Sequence, residues 1–174
     1  MAATAAVEEA TDAGPAWNEI TTARFNTADE HAPTTTNPIP IPTAGSNYSY
    51  WKTWRLKFTG SYTQITNVKI YTDGGGYGTG ITTQVGDEVL TAGQYDQASG
   101  TSGTSGDYIT NHTGITAATD IFTYTSGSEK TVDTSTISGD PGYSNLIIVQ
   151  MGVTTTASQG TLSAETFTWI YDEI

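Results

Sequence analysis

The sequence predicts an all-β protein: an antiparallel β-sandwich of the jelly-roll or immunoglobulin-like kind, with an extended N-terminal arm. Three observations lead there. Threonine fills 35 of the 174 positions, and its β-branched side chain is stiff at χ1 and suits solvent-facing strand positions. Short stretches in which apolar and polar residues alternate recur along the chain, separated by Gly, Ser and Asp clusters of turn-forming composition. Beyond residue 16 no stretch carries a helical period. The length suits one domain with tails, divided here into an arm with a proline-rich strap over 1–45 and a sandwich over 46–174.

Residues 1 to 16 are rich in Ala and Glu and end at Gly14-Pro15, which predicts a short helix or a loose arm. A first strand is expected from Trp17 to about Phe25. From Asp29 to Pro42 the chain carries Pro33, Pro38, Pro40 and Pro42; proline lacks an amide donor and fixes φ, so this segment must run extended as an edge or a strap. Ile39 and Ile41 are placed to pin one face of it.

In Lys52 to Phe58, Trp54, Leu56 and Phe58 alternate with Thr53, Arg55 and Lys57, which predicts a half-buried strand with charge on its outer face. Thr66 to Thr72 repeats the alternation and stops at Asp73-Gly74-Gly75-Gly76, so the two runs are expected to form a hairpin. Ile81–Val85, Tyr108–Thr110, Ile121–Thr125 and Asn145–Val153 supply further strands. The last of these is apolar on both faces and therefore central. Ser99 to Asp107 (SGTSGTSGD) has a linker composition. Strands are also possible at Glu88–Leu90 and Thr131–Thr136. In Ser163 to Tyr171, Phe167, Trp169 and Tyr171 share one face, which predicts an integral closing strand.

Charge excludes some functions outright. Six Lys and Arg against 18 Asp and Glu leave a net charge of −12, without the basic footprint that nucleic-acid binding requires. Four of the basic residues (Lys52, Arg55, Lys57, Lys69) cluster, and only Lys130 follows them. Cysteine is absent, so disulfides, thiolate nucleophiles and thiolate-bound metals are excluded. The N-terminus lacks the positive and apolar regions of a secretory signal, and no apolar run approaches the length of a membrane helix, so a product made in a host cytoplasm is expected.

Motifs for catalysis are not found. His31 and His112 lie in polar stretches without zinc-ligand spacing, and Gly74–Gly80 (GGGYGTG) fits no phosphate-binding pattern. The acidic pairs Asp29-Glu30, Asp87-Glu88 and Asp172-Glu173 are sequence neighbours, whose side chains diverge in a strand. No catalytic residue and no cofactor are assigned. Two binding chemistries stay open. Asp73, Asp87, Asp96, Asp107, Asp120 and Asp140 sit in Gly- or Ser-rich loops of the composition calcium sites use, and Trp17, Trp51, Trp54 and Trp169 with Tyr48 and Tyr50 could form a sugar-stacking platform.

Two stretches carry a resemblance. Trp54-Arg55-Leu56-Lys57-Phe58-Thr59-Gly60 followed by Ile65-Thr66-Asn67-Val68-Lys69-Ile70-Tyr71, and the terminal Trp169-Ile170-Tyr171-Asp172-Glu173, resemble small β-sandwich structural proteins of tailed-bacteriophage virions. The resemblance implies a noncatalytic virion component, with capsid decoration as the first expectation and a tail or baseplate role as the second. It implies other virion proteins as partners, the major capsid protein or tail proteins, and a homo-oligomer in the particle. A carbohydrate-binding or adhesin module is the alternative from another class. On the virion reading the 1–45 arm is expected to reach neighbours while the sandwich folds without it.

Overall fold

The structure, a computed structural model, describes residues 2–31 and 35–174. Among the described residues thirteen strands follow in order: β1 (Thr4–Thr11), β2 (Ala16–Ile20), β3 (Ser46–Tyr48), β4 (Lys52–Thr59), β5 (Ile65–Tyr71), β6 (Ile81–Gly86), β7 (Gly100–Thr101), β8 (Ser105–Gly106), β9 (Ala118–Asp120), β10 (Lys130–Asp133), β11 (Gly142–Tyr143), β12 (Ile147–Thr154) and β13 (Thr168–Glu173). The protein is an antiparallel β-sandwich. One sheet runs β2-β1-β4-β12-β6-β9, with β11 beside β4 and β3 beside β12; the second runs β10-β5-β13. Among the described residues only three short 3-10 turns are helical, and none is long and apolar enough to cross a membrane.

The core between the sheets follows the alternation. Trp54, Leu56 and Phe58 of β4, Ile147 and Val149 of β12 and Val85 of β6 meet Ile65, Val68 and Ile70 of β5 and Val132 of β10 in one buried cluster. Phe58 packs edge-on against Tyr171 of β13, and Trp54 against Phe167 beside it. β12 is buried over almost its whole length because its other face carries a second cluster, in which Ile148 meets Trp51, Leu90, Ile109 and Ile115. The long segment 87–117 is therefore a third layer, packed on the outside of the larger sheet.

Gln150 fastens that layer. Fully buried on β12, its amide nitrogen donates to the carbonyls of Ser49 and Asp107, both at 2.7 Å, and its amide oxygen accepts from the Ile109 amide at 2.8 Å. Gln150→Leu keeps the volume but strands two buried backbone groups and one part-buried carbonyl, so it is expected to destabilise by about 3 kcal/mol. A urea melt checks this, and a loss below about 1 kcal/mol would mean that the layer is held by its apolar contacts alone. The linker-like SGTSGTSGD segment is part of the same layer: β7 and β8 form a small hairpin that lies so close to Ser49 and Tyr50 that a Cβ on Gly106 would collide with the Ser49 carbonyl. Glycine supplies close approach there, not flexibility.

Three expectations are corrected. The helix or loose arm over residues 1 to 16 is instead a β-hairpin, turned through Asp12 at φ 70° and paired with β4 from Thr4 to Ala10. Tertiary pairing overrides helix propensity here, because Glu8 and Glu9 face the basic residues of β4. β4 and β5 do not form a hairpin; they lie in different sheets, since both edges of β4 are taken by β1 on one side and β11 and β12 on the other. Residues 109–111 and 121–123 are 3-10 turns where strands were expected, each burying one isoleucine as a plug. The strap, as far as it is described, has no strand, with Ile39 and Ile41 half-buried and the Pro40 carbonyl accepting from Asn47 at 2.9 Å. Pro33 lies outside the described residues.

Candidate functional site

The cationic strand β4 is neutralised from both sides. On the core face Glu9, fully buried, accepts from the Trp54 indole at 2.8 Å and lies 3.4 Å from Lys52, whose ammonium also donates to the Glu30 carbonyl. Burial pushes the Glu9 carboxyl up despite the Lys52 charge. On the outer face Glu8 pairs with Arg55 at 2.6 Å and with Lys57 at 3.6 Å, and Lys57 reaches Glu19 at 2.8 Å. The Arg55 guanidinium is stacked between Trp17 at 3.7 Å and Tyr143 at 3.9 Å, an arrangement available to its planar group and not to a lysine. The hairpin, β4 and β11 are thus bolted together by charge.

The loop aspartates hold loops. Asp73 accepts from the Gly75 amide within its own turn, Asp96 from the amide and hydroxyl of Thr113, Asp107 from Ser99, Asp120 from the Phe122 amide and Asp140 from the Gly60 amide. Asp87 instead offers its backbone carbonyl to Lys130 at 3.2 Å. Only Asp87 and Asp96 share a connection, between β6 and β7, and Asp120 closes β9; no group of three or more His, Asp or Glu placed to hold a metal ion occurs among the described residues. Asp172 and Glu173 are also engaged, by Asn67 and by the Ala3 amide. Thermal melts in CaCl2 and in NaCl at matched ionic strength are expected to coincide, since both only screen the excess negative charge. A calcium-specific rise reversed by EDTA would reveal a site.

Among the described residues neither histidine joins a cluster of ligands. His31 is half-buried and near Glu9. His112 is buried in the outer layer, edge-on to Trp51, its Nδ1 accepting from the Gly114 amide at 3.1 Å and its Nε2 without a hydrogen-bond partner among the described residues. Burial holds its pKa below the ordinary value of 6.5. A base with a depressed folded pKa binds fewer protons folded than unfolded, so its contribution to stability falls as pH drops below about 6.5. His112→Phe is expected to flatten stability against pH in that window; an unchanged slope would place the dependence elsewhere.

The aromatic platform is not assembled. Tyr50, Trp51 and Trp54 are buried in the two clusters, the Trp51 indole donates to the Asp96 carbonyl, Tyr48 packs on Tyr108, and Trp17 covers Arg55. Trp169 is half-buried, and it leads to a feature that no motif in the sequence singled out. Between the open ends of the two sheets lies a cleft of about 320 Å³, lined by Phe25, Trp54, Tyr77, Phe167, Trp169 and Glu165 together with smaller apolar and threonine side chains. Desolvation there, reinforced by the Glu165 carboxylate, pushes the Tyr77 hydroxyl up to about 12. One signal was present in the sequence: Glu165 has the same parity as Phe167 and Trp169. Tyr77 and Phe25 arrive only through the tertiary fold.

Comparison of the chain with protein-family models, curated proteins and solved structures finds no match. The site is therefore described by its geometry: an open, aromatic cleft with one carboxylate, flanked by the edge strands β2 and β13.

Proposed function

We propose that the protein is a noncatalytic structural component of a tailed-phage virion, in the first place a capsid decoration protein. The observation that carries this reading is the use of side chains. Carboxylates, Gln150 and close-packed glycines fix long polar loops onto a rigid sandwich, which gives a small chain a large, ordered and acidic outer surface. Such a surface suits a protein that covers or cements a shell, where it must hold its shape against neighbours and where net negative charge disfavours contact with packaged DNA. The sequence resemblance to virion β-sandwich proteins points the same way. The partners on this reading are the major capsid protein and further copies of the chain.

The test is a mass-spectrometric copy number from purified particles. A number comparable with that of the major capsid protein is expected. A few copies per particle would move the protein to the tail or baseplate, and absence from particles would overturn the reading.

A further inference from the structure

The cleft between the sheets is the least finished part of the molecule. Its walls include two segments outside the strands, 21–25 and 164–166, whose backbones make no hydrogen bond with the described residues, although the first follows the edge strand β2 and the second lies just ahead of the edge strand β13. Edge strands with unbonded peptide groups are where another chain can add. Side chains from both walls and from the core line the space between them: Phe25 on one side, Phe167 and Trp169 on the other, and Trp54 at the floor. A pocket of this kind takes apolar stems.

The cleft also has a charge. Glu165 makes no ion pair and no hydrogen bond with the described residues, whereas Lys52, Arg55, Lys57 and Lys69 are each paired with a glutamate and Lys130 is buried. Arg24 is exposed and lies outside the lining. Aromatic faces beside a lone carboxylate, on a chain of net charge −12, complement an aliphatic stem tipped with a cation, which rings attract through their quadrupole and the carboxylate through its charge. An anionic ligand finds no cation among the lining residues.

We infer that the cleft receives an extended segment of a partner protein, placing a lysine or arginine side chain against Glu165 between Tyr77, Phe167 and Trp169 while its backbone pairs with the peptide groups of 21–25 and 164–166 that line it. Main-chain bonds supply affinity and the pocket selects the basic residue, the division of labour usual in strand addition. The assignment concerns the chemistry of the partner and does not depend on which assembly provides it.

A yeast-displayed library of random nonapeptides, panned against the intact protein, tests this. Selected peptides are expected to share one Lys or Arg flanked by apolar residues. Their Kd is expected to rise at least about tenfold on Glu165→Gln, as when a cation in a desolvated site is deprived of its counter-charge, and on methylation of alternate peptide nitrogens. Glu165→Gln is isosteric and half-exposed, so an unchanged melting temperature will show that it folds. Selection of peptides without a basic residue, binding indifferent to Glu165→Gln, or failure to select any peptide would overturn the inference. So would an array glycan whose binding is lost in Trp169→Ala while no peptide binds.

Discussion

A chain lacking residues 1–45 is expected not to fold, although composition alone marks that segment as a detachable arm. Without β1 the Thr53–Thr59 edge of β4 loses its ladder, Lys52 is left buried without Glu9, and the Trp54 indole loses its acceptor. Removing one partner of a buried ion pair costs about 3–5 kcal/mol, and an orphaned buried donor about 1–3 more. The outer face fares no better, since Arg55 loses Glu8 and Trp17 together. These losses approach the whole stability of an ordinary domain, about 5–15 kcal/mol. Circular dichroism and thermal unfolding of the truncated chain measure the effect, and Glu9→Ala alone is expected to reproduce about 3–5 kcal/mol of it. A cooperative melt of the truncated chain near the full-length temperature would mean that the hairpin is an accessory.

The second large effect is expected at Trp54. Its ring is 2% exposed, contacts Phe25 and Phe167, and its indole bonds Glu9, so Trp54→Ala is expected to cost about 3–5 kcal/mol through cavity formation and to lower the melting temperature by roughly 6–20 °C. Trp169 shares the alternation that predicts burial but ends at the cleft wall, half-buried; Trp169→Ala is expected to cost only about 1–2 kcal/mol, in proportion to the area it buries. Paired denaturation curves decide. Equal losses would mean that the cleft is closed in solution and that both rings belong to one core.

The large central elements were legible because local pattern and tertiary demand agree there. Trp54, Leu56 and Phe58 alternate and face the core; Ile147 to Val153 is apolar on both faces and is covered on both. The terminal aromatic run reads correctly only in part: the strand covers Thr168–Glu173 where Ser163 to Tyr171 was expected, because Phe167 and the residues before it turn along the cleft and leave the ladder. Where the two disagree, composition misleads. SGTSGTSGD has the residues of a flexible linker because a hairpin pressed against Ser49 admits only hydrogen as a side chain at Gly106, and the sequence does not distinguish freedom from crowding.

The sequence by itself determined the all-β class, the identity of the principal strands and the acidic balance of the surface, since each depends on residue type and local period. The tertiary structure alone decided which strands pair, and hence what the N-terminal segment is. Its Ala and Glu favour a helix in isolation, but Glu8, Glu9 and Glu19 are the counter-charges of Lys52, Arg55 and Lys57, more than thirty residues away. The cluster of basic residues on β4 was visible in the sequence; the partner it requires was not. A buried cation must find its anion wherever the chain supplies one, and that long-range electrostatic requirement outweighs the few tenths of a kcal/mol per residue by which propensity favours a helix.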